Sequence, residues 1–273
     1  MWITFENCWL TKSPFPHLLY MKQTFQSFEG RSGGSVNMLG REFWERRHTS
    51  QVPGNIANFP FPEGVTLKGL KRLIQTTFAW GIHQVMKIYE PLISDRKRRL
   101  FSPVRGHVLE IGPGTGPNLR YFDKSIQWTG LEYNPKMRPY LEKEARRVGL
   151  DVNLIDGSAL DIPLPDASVD VVVGTLVLCS VPCQKTVLDE VRRVLKPGGK
   201  YLFVEHVAAK PGTWKAFVQR IIKPVWRCCA DGCCIDRQTW ITLDEGPFDQ
   251  VEIERFDLKF PVVSPHIMGT ATR

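Results

Sequence analysis

The sequence predicts an α/β fold: a three-layer sandwich built on a mostly parallel, seven-stranded sheet with an antiparallel last strand. Short apolar runs recur between residues 106 and 273, and such runs are typical of buried parallel strands. Stretches with helical spacing alternate with them, as expected for helices that cover both faces of a sheet. The first apolar run leads directly into a glycine loop at residues 112–116, which indicates a strand that turns sharply into a helix.

Local signals predict where the elements begin and end. Asn134 and Pro135 predict a helix start and Gly149 its end, because Asn caps helices, Pro suits the first turn and Gly suits the left-handed final residue. A glycine cap is expected at residues 195–199, and Asp236 is expected to cap the helix before the sixth strand. The predicted strands are residues 108–111, 126–131, 152–155, 170–174, 201–204, 250–256 and 266–270.

The glycine loop indicates a nucleotide-like ligand. Gly112, Gly114 and Gly116 carry no Cβ, so the backbone can adopt positive φ and approach a ligand closely. The dinucleotide-binding fingerprint needs Gly or Ala five residues after its first glycine, where this chain has Pro117. Glu110 instead completes a Glu-x-Gly-x-Gly-x-Gly pattern, which resembles the loop of the Rossmann-like class I S-adenosylmethionine (SAM) methyltransferases.

Two further acidic positions fit an adenosyl ligand. Glu132 closes the second strand twenty residues after Gly112, where a carboxylate can accept hydrogen bonds from both ribose hydroxyls. Asp156 and its neighbour Gly157 end the third strand, level with the adenine, where one of them can bind the exocyclic amine. The order and spacing of these residues predict SAM as the cofactor.

Charge narrows the range of partners. Residues 1–105 carry 15 Lys and Arg against 7 Asp and Glu, whereas residues 106–273 carry 21 of each. The net charge of +8 therefore belongs to the N-terminal part. A nucleic-acid substrate is disfavoured, because its phosphates need a basic surface around the site. Seven cysteines without a secretory signal favour a reducing, intracellular compartment, with cytoplasm, organelle and membrane periphery all open.

The N-terminal part divides at residue 62. Residues 1–62 show no sustained period and are interpreted as an extension, either a targeting segment or a disordered tail. Residues 63–105 are expected to form a helical segment that covers the cofactor cleft, ended or kinked at Pro91 and followed by a charged turn at residues 95–99. Its basic flank and Trp80 leave a helix lying on a membrane surface as the alternative. Its apolar positions at helical spacing are Leu67, Leu70, Ile74, Phe78, Ile82, Val85 and Tyr89.

Four cysteines lie close together at residues 228–234, but their spacing does not fit a structural zinc site. Cys228, Cys229, Cys233 and Cys234 form a C-C-x3-C-C cluster. Structural zinc sites use C-x2-C pairs that are well separated in sequence, because one short loop wraps a tetrahedron poorly. No metal is therefore predicted, and these side chains are expected to pack as small apolar groups.

Two segments are expected to enclose a methyl acceptor. Residues 207–235 carry more apolar surface than one helix face can bury, so the excess can form the roof of an apolar pocket. Residues 176–181 are expected to form the opposite wall, with Leu176 against the cofactor. A small, apolar acceptor molecule is the partner that this pocket predicts, and the oligomeric state does not follow from the sequence.

Four segments resemble the methyltransferase-like protein seven family and its plant relatives; the animal members are alkyl-thiol S-methyltransferases. The segments are residues 174–181 (GTLVLCSV), 203–209 (FVEHVAA), 230–233 (ADGC) and 264–267 (SPHI), within a resemblance that runs from about residue 84 to the C-terminus. The resemblance implies a SAM-dependent methyltransferase whose cofactor is lined by Glu110, Gly112, Gly114, Gly116, Glu132 and Asp156. The animal proteins begin with a hydrophobic anchor that this sequence does not show, so membrane location does not carry over.

One residue is the candidate catalyst. Methyl transfer from SAM requires mainly alignment, and a thiol with a pKa of about 8.5 needs only a modest base. His206 is the candidate general base, because it lies at the C-terminal end of the fifth strand, the ligand-binding edge of such sheets. Two other functions stay open: a lipid or quinone C- or O-methyltransferase, and a non-catalytic, membrane-associated SAM-binding protein, against which the intact loop and acids argue.

Overall fold

The described part of the computed structural model, residues 67–260 and 263–273, contains seven strands and five α-helices. The predicted extension over residues 1–62 lies outside the described residues. In chain order the elements are α1 (Leu67–Phe101), β1 (His107–Ile111), β2 (Gln127–Glu132), α2 (Arg138–Val148), β3 (Val152–Asp156), β4 (Val169–Thr175), α3 (Gln184–Val194), β5 (Leu195–His206), α4 (Trp214–Cys229), α5 (Thr239–Asp244), β6 (Gln250–Asp257) and β7 (Pro265–Thr272).

All seven strands belong to one sheet in the order β3-β2-β1-β4-β5-β7-β6. The pairs among β1 to β5 are parallel, whereas β7 is antiparallel to both of its neighbours, β5 and β6. Each parallel neighbour is reached by a crossover connection, which contains an α-helix between β2 and β3 (α2) and between β4 and β5 (α3). The predicted α/β class, with its antiparallel last strand, is confirmed.

The core lies in two layers, one on each face of the sheet. Successive residues of a strand point to opposite faces, and β1 shows the consequence. Val108 packs in one apolar cluster with Trp128, while Leu109 and Ile111 pack in the other with Val187 of α3. All five side chains are buried. The two layers hold the carboxyl ends of the strands in fixed register, which positions the loops that follow them.

Helix α1 lies within the helical segment predicted over residues 63–105. It continues through Pro91 to Phe101, so of the predicted end or kink at the proline the end is wrong, and so is the charged turn at residues 95–99. Beyond the proline, Ile93, Lys97 and Phe101 recur at four-residue spacing and are all buried. Their packing offsets the missing N–H of Pro91, a loss of about 3 kcal/mol in a helix interior. None of the described helices is both long and apolar enough to cross a bilayer.

The predicted start of α2 is wrong and its predicted end is confirmed. The helix begins at Arg138, four residues after Asn134, whose side chain instead accepts a hydrogen bond from the Lys136 backbone N–H at 3.0 Å. Asn side chains favour such local turns over a helix interior. At the other end, Gly149 adopts φ +68° and donates its N–H to the Ala145 carbonyl.

Two other expected caps are not present. Helix α3 ends at Val194, and Leu195 is already extended, so residues 195–199 begin β5 rather than forming a glycine cap. Gly198, at φ +74°, lies in the irregular start of that strand. Asp236 forms an ion pair with Lys223 at 2.8 Å, and α5 begins only at Thr239. In both places a contact with another part of the chain outweighs the local cap signal: strand pairing at residues 195–199 and the ion pair with Lys223 at Asp236.

Candidate cofactor and acceptor site

A cleft of about 460 Å³ opens at the carboxyl ends of β1, β2 and β4. Strand β1 lies between β2 and β4, so the order of the strands reverses at this point. Open α/β sheets bind ligands at such reversals, because the two following loops diverge and leave a crevice. Helix α1 lines one side of the cleft with Phe78, Ile82 and Met86.

Six of the eight residues predicted to contact the cofactor line this cleft: Glu110, Gly112, Gly114, Glu132, Gly157 and Leu176. The other two do not. Gly116 packs beneath the loop, where a Cβ would lie 3.1 Å from Leu119 Cδ1. Asp156 is exposed and forms an ion pair with Arg138 at 2.9 Å, so its carboxylate is engaged outside the cleft.

The glycine loop needs its glycines for two different reasons. Gly112 has φ +58°, and a Cβ there would lie 2.8 Å from Val177 Cγ2, closer than packed carbons approach. Gly114 has φ +56°, and a Cβ there would meet no protein atom within 4 Å. Gly112 therefore allows the loop to pack on the residues after β4, whereas Gly114 leaves open space over the cleft.

Glu132 connects the end of β2 with the glycine loop. One carboxylate oxygen accepts the Gly114 N–H at 2.9 Å and the other accepts the Asn134 N–H at 2.8 Å. Burial raises the pKa of Glu132, and these hydrogen bonds act in the opposite direction. The Tyr133 backbone N–H also donates to this carboxylate. A carboxylate has about four acceptor positions, so part of its acceptor capacity remains for a ligand.

Glu110 lies at the floor of the cleft. Its carboxylate accepts hydrogen bonds from Asn118 Nδ2 at 2.9 Å and from Trp128 Nε1 at 3.1 Å. The side chain is buried, and this burial raises the pKa of Glu110 to about 7. The carboxyl group of Glu110 is therefore held in one orientation, and its pKa lies close to neutral pH.

The wall loop, residues 176–182, forms the side of the cleft that follows β4. Glu205 of β5 fixes it from behind, because its carboxylate accepts the backbone N–H groups of Val177 and Leu178, each at 2.9 Å, and of Cys179 at 3.3 Å. Burial raises the pKa of Glu205 to about 7. These contacts give Glu205 a structural role in positioning the wall loop.

The cleft is acidic. Glu110, Glu132 and Asp231 line it, and its described lining contains no Lys, Arg or His. A neighbouring cavity of about 680 Å³ between α1 and α2 differs in this respect. That cavity is lined by both signs of charge: Lys87, Arg120, Lys143 and Arg147 with Glu90 and Glu144. Of these two cavities, the cleft at the glycine loop is the one whose described lining has carboxylates without basic side chains.

Asp231 also lines the cleft, although its sequence position predicted no contact with the cofactor. It follows α4, has φ +48°, and burial raises its pKa. Leu176, across the cleft, also has a positive φ, of +57°. Such conformations cost about 1–3 kcal/mol in residues with a Cβ, and they cluster at functional sites. For Leu176 the sequence offers no signal, whereas Asp tolerates the left-handed region better than most residues and Asp231-Gly232 is a turn dipeptide.

The predicted roof does not cover the cleft. Trp214, Phe217, Ile221 and Val225 lie on the exposed face of α4, and Trp214 is 74% exposed. Within residues 207–235, Asp231 is the one described residue that lines the cleft. The apolar side of the cleft is formed instead by α1 and the wall loop.

His206 lies behind the wall loop and is not among the residues that line the cleft. Its Nε2 is 3.0 Å from Cys233 Sγ, and Trp226 Nε1 donates to the same sulfur at 3.3 Å. Hydrogen bonds from Cys179, His206 and Trp226 lower the pKa of Cys233, while the Cys233 sulfur raises the pKa of Cys179. The general-base role of His206 stays a prediction.

Known proteins are similar to this chain in sequence and in fold. A family model described as a methyltransferase domain matches residues 109–203. The human thiol S-methyltransferase TMT1A is 36% identical over 209 residues, which cover 72% of this chain and 86% of that protein. The chain belongs to the family of this thiol S-methyltransferase. Human thiol S-methyltransferase TMT1B is 39% identical over 194 residues, covering 66% of this chain and 80% of its own length. The resemblance to alkyl-thiol S-methyltransferases is thereby confirmed.

Solved structures of low sequence identity show the same fold. The cyclase SpnF superposes with a TM-score of 0.54 at 20% identity, covering 66% of this chain and 79% of its own. A SAM-dependent methyltransferase from Thermotoga maritima, described as a possible histamine N-methyltransferase, has a TM-score of 0.53 at 15% identity, covering 73% and 97%. These likenesses concern the fold alone. The family assignment identifies the chain as a SAM-dependent methyltransferase.

Proposed function

We propose that this methyltransferase transfers the methyl group of SAM to the sulfur of a small, apolar thiol. The observation that carries the proposal is the charge of the cleft, whose described lining has three carboxylates and no basic side chain. SAM contains a sulfonium cation, which this lining attracts, whereas it repels the pyrophosphate of a dinucleotide. The names of the TMT1 relatives, thiol S-methyltransferases, support sulfur as the acceptor atom.

The residues around the glycine loop are proposed to hold the cofactor. Glu132 accepts hydrogen bonds from the ribose hydroxyls with the acceptor capacity that its backbone donors leave unused. The open space over Gly114 admits the ligand next to the backbone. Residues 157–160 and Leu176 line the remaining length of the cleft and offer apolar surface to the adenine. Bound SAM supplies an activated methyl group, so no lining residue needs to activate it.

The acceptor is proposed to bind on the apolar side of the cleft. Phe78 and Ile82 of α1 face this space together with Val177 and Val181 of the wall loop. Acceptors with phosphate or carboxylate groups are disfavoured, because the described lining offers them no cation. A few per cent of a free thiol is ionised at neutral pH, and a neighbouring sulfonium favours the thiolate further. Holding the two sulfur atoms in line then supplies most of the rate enhancement.

A matched panel of acceptors tests the proposal. Isotope-labelled SAM is offered with an alkyl thiol, the alcohol of the same chain length, a phenol and a demethylated quinone precursor. We expect kcat/KM for the thiol to exceed that for the alcohol by about 10³-fold or more, because the alcohol is not ionised. The rate with the thiol should also rise with pH towards the pKa of that thiol. Preferred methylation of the phenol or the quinone precursor would contradict the proposal.

We propose in addition that α4 docks peripherally on anionic membrane surfaces. Trp214, Phe217, Ile221 and Val225 recur every three or four residues and lie exposed on one face. Residues 207–230 contain five Lys and Arg and no Asp or Glu. An exposed apolar stripe with a basic surround is typical of helices that lie in the membrane interface. Docking of this kind would expose the protein to apolar thiols dissolved in the bilayer.

Vesicle flotation tests this location. The full chain should float with vesicles containing an anionic lipid, and less so with purely zwitterionic vesicles or at high salt. Replacing both Trp214 and Ile221 with Ser should reduce vesicle binding at least about tenfold, because two apolar side chains no longer insert into the bilayer. Ile88→Ser, at an exposed position of α1, is the matched control and should bind as wild type. Equal flotation of the α4 variant and wild type would overturn the proposal.

A further inference from the structure

Three soft ligand groups meet behind the wall loop. Cys179 belongs to that loop, His206 ends β5, and Cys233 follows α4. The two sulfur atoms and a ring nitrogen of the histidine all lie within 4.8 Å of one another. The backbone holds two of the three segments together, because the Cys234 N–H donates to the Cys179 carbonyl at 2.9 Å. The cluster is therefore built from three separate elements and does not depend on one flexible loop.

The surroundings of the cluster are apolar. Cys179, His206 and Cys233 are 1%, 4% and 7% exposed, and the two cysteines pack with Ile235 and Val263. His206 is only half satisfied there: Nε2 faces Cys233, whereas the buried Nδ1 has no hydrogen-bond partner among the described residues. Buried polar atoms usually have partners, so the described contacts do not account for this ring.

We propose that Cys179, His206 and Cys233 bind a soft divalent metal ion of the zinc type. Two cysteines and one histidine are the protein ligands of zinc sites that keep a fourth position open. Tetrahedral zinc would place two sulfur ligands about 3.8 Å apart and a sulfur and a nitrogen about 3.5 Å apart. The His206–Cys233 contact of 3.0 Å is about half an ångström shorter than this geometry requires, and the Cys179 sulfur lies within 4.8 Å of both other ligand atoms.

The charge balance favours a metal at this place. Binding releases the two thiol protons to solvent, and two thiolates neutralise a divalent ion. The filled site is then uncharged, so burying it among apolar side chains carries little desolvation cost. Trp226 Nε1 already donates to Cys233 Sγ at 3.3 Å, the type of outer contact that orients a metal-bound thiolate.

The position of the cluster links it to the cleft. Ser180 follows Cys179, and Asp231 precedes Cys233 by two residues, and both line the cleft. A bound ion would tie the wall loop to the segment after α4, so that the two sides of the cleft move together. The C-C-x3-C-C pattern gave no hint of this site, because Cys233 finds its partners elsewhere in the chain.

Metal uptake by the full chain tests the inference and does not depend on enzymatic activity. Reduced, metal-free protein is mixed with zinc and passed through a desalting column, and bound metal is measured by mass spectrometry. We expect one equivalent per chain. Cobalt(II) should give the visible bands of a tetrahedral site together with a sulfur-to-metal charge-transfer band. Competition with a chromophoric chelator then measures the affinity.

Variants locate the ion. Cys179→Ser and Cys233→Ser should each weaken zinc binding at least about 100-fold, whereas Cys183→Ser, an exposed thiol outside the cluster, should bind as wild type. Thermal unfolding without metal shows whether each variant folds, and the wild-type measurement stands even if one does not. Reduced wild type that retains no metal, including protein that forms only a Cys179–Cys233 disulfide on oxidation, would overturn the site. So would full affinity in both folded variants.

Discussion

Replacing Glu132 with Ala is expected to lower the affinity for SAM by about 100-fold or more. The carboxylate would lose hydrogen bonds to two ribose hydroxyls, each worth about 1.5–3 kcal/mol when one partner is charged. It would also release the Gly114 N–H, whose acceptor it is at 2.9 Å. Isothermal titration calorimetry with SAM measures the loss directly.

A control separates binding from folding. Glu142→Ala removes a carboxylate on the exposed side of α2 and should bind SAM as wild type does. Glu132→Gln keeps the shape but replaces one oxygen with an NH₂ group, so its affinity should lie between those of Glu132→Ala and wild type. Unchanged affinity in a folded Glu132→Ala variant would remove this residue from the cofactor site.

Replacing Glu205 with Ala is expected to reduce the free energy of unfolding by about 3–5 kcal/mol. Three backbone N–H groups of the wall loop would lose their acceptor while two of the three residues stay buried. Each unpaired buried group costs about 1–3 kcal/mol, and removal of a buried carboxylate recovers part of the total. Urea denaturation measures the change.

The matched substitution is Glu205→Gln. Its carbonyl oxygen can keep the bonds to Val177 and Leu178, which share one oxygen of the glutamate, and only the bond from Cys179 is lost. The loss of stability should therefore be about a third of that of Glu205→Ala. Turnover should fall with Glu205→Ala even at temperatures where the variant is folded, because the wall loop is displaced. Equal stability of both variants would show that the wall loop keeps its conformation without the hydrogen bonds to Glu205.

Most of the fold could be predicted, because buried parallel strands leave continuous apolar runs such as residues 170–174. The errors share one physical cause. Pro91, Asn134 and Asp236 each carry a strong local preference, and in each case a contact with distant residues or a competing turn decided the structure instead. A single sequence states local preferences but not the packing energies that outweigh them.

The cofactor side of the cleft was more predictable than the acceptor side. Residues such as Gly112 and Glu132 stand at fixed distances from strand ends, so the topology alone brings them together. The predicted roof was wrong because it depended on how α4 packs, and no period in the sequence fixes that packing. Asp156 does not line the cleft for a different reason. Its carboxylate forms an ion pair with Arg138 at the start of α2.

An acidic cleft also affects what happens after the reaction. Transfer of the methyl group converts the sulfonium of SAM into an uncharged thioether, so the ligand loses a positive charge while Glu132 and Asp231 keep theirs. At an effective dielectric constant of about 20, one charge pair 4 Å apart contributes about 4 kcal/mol, and its loss favours departure of the spent cofactor. The lining that attracts the reactant is thus expected to hold the product less tightly, which would limit product inhibition.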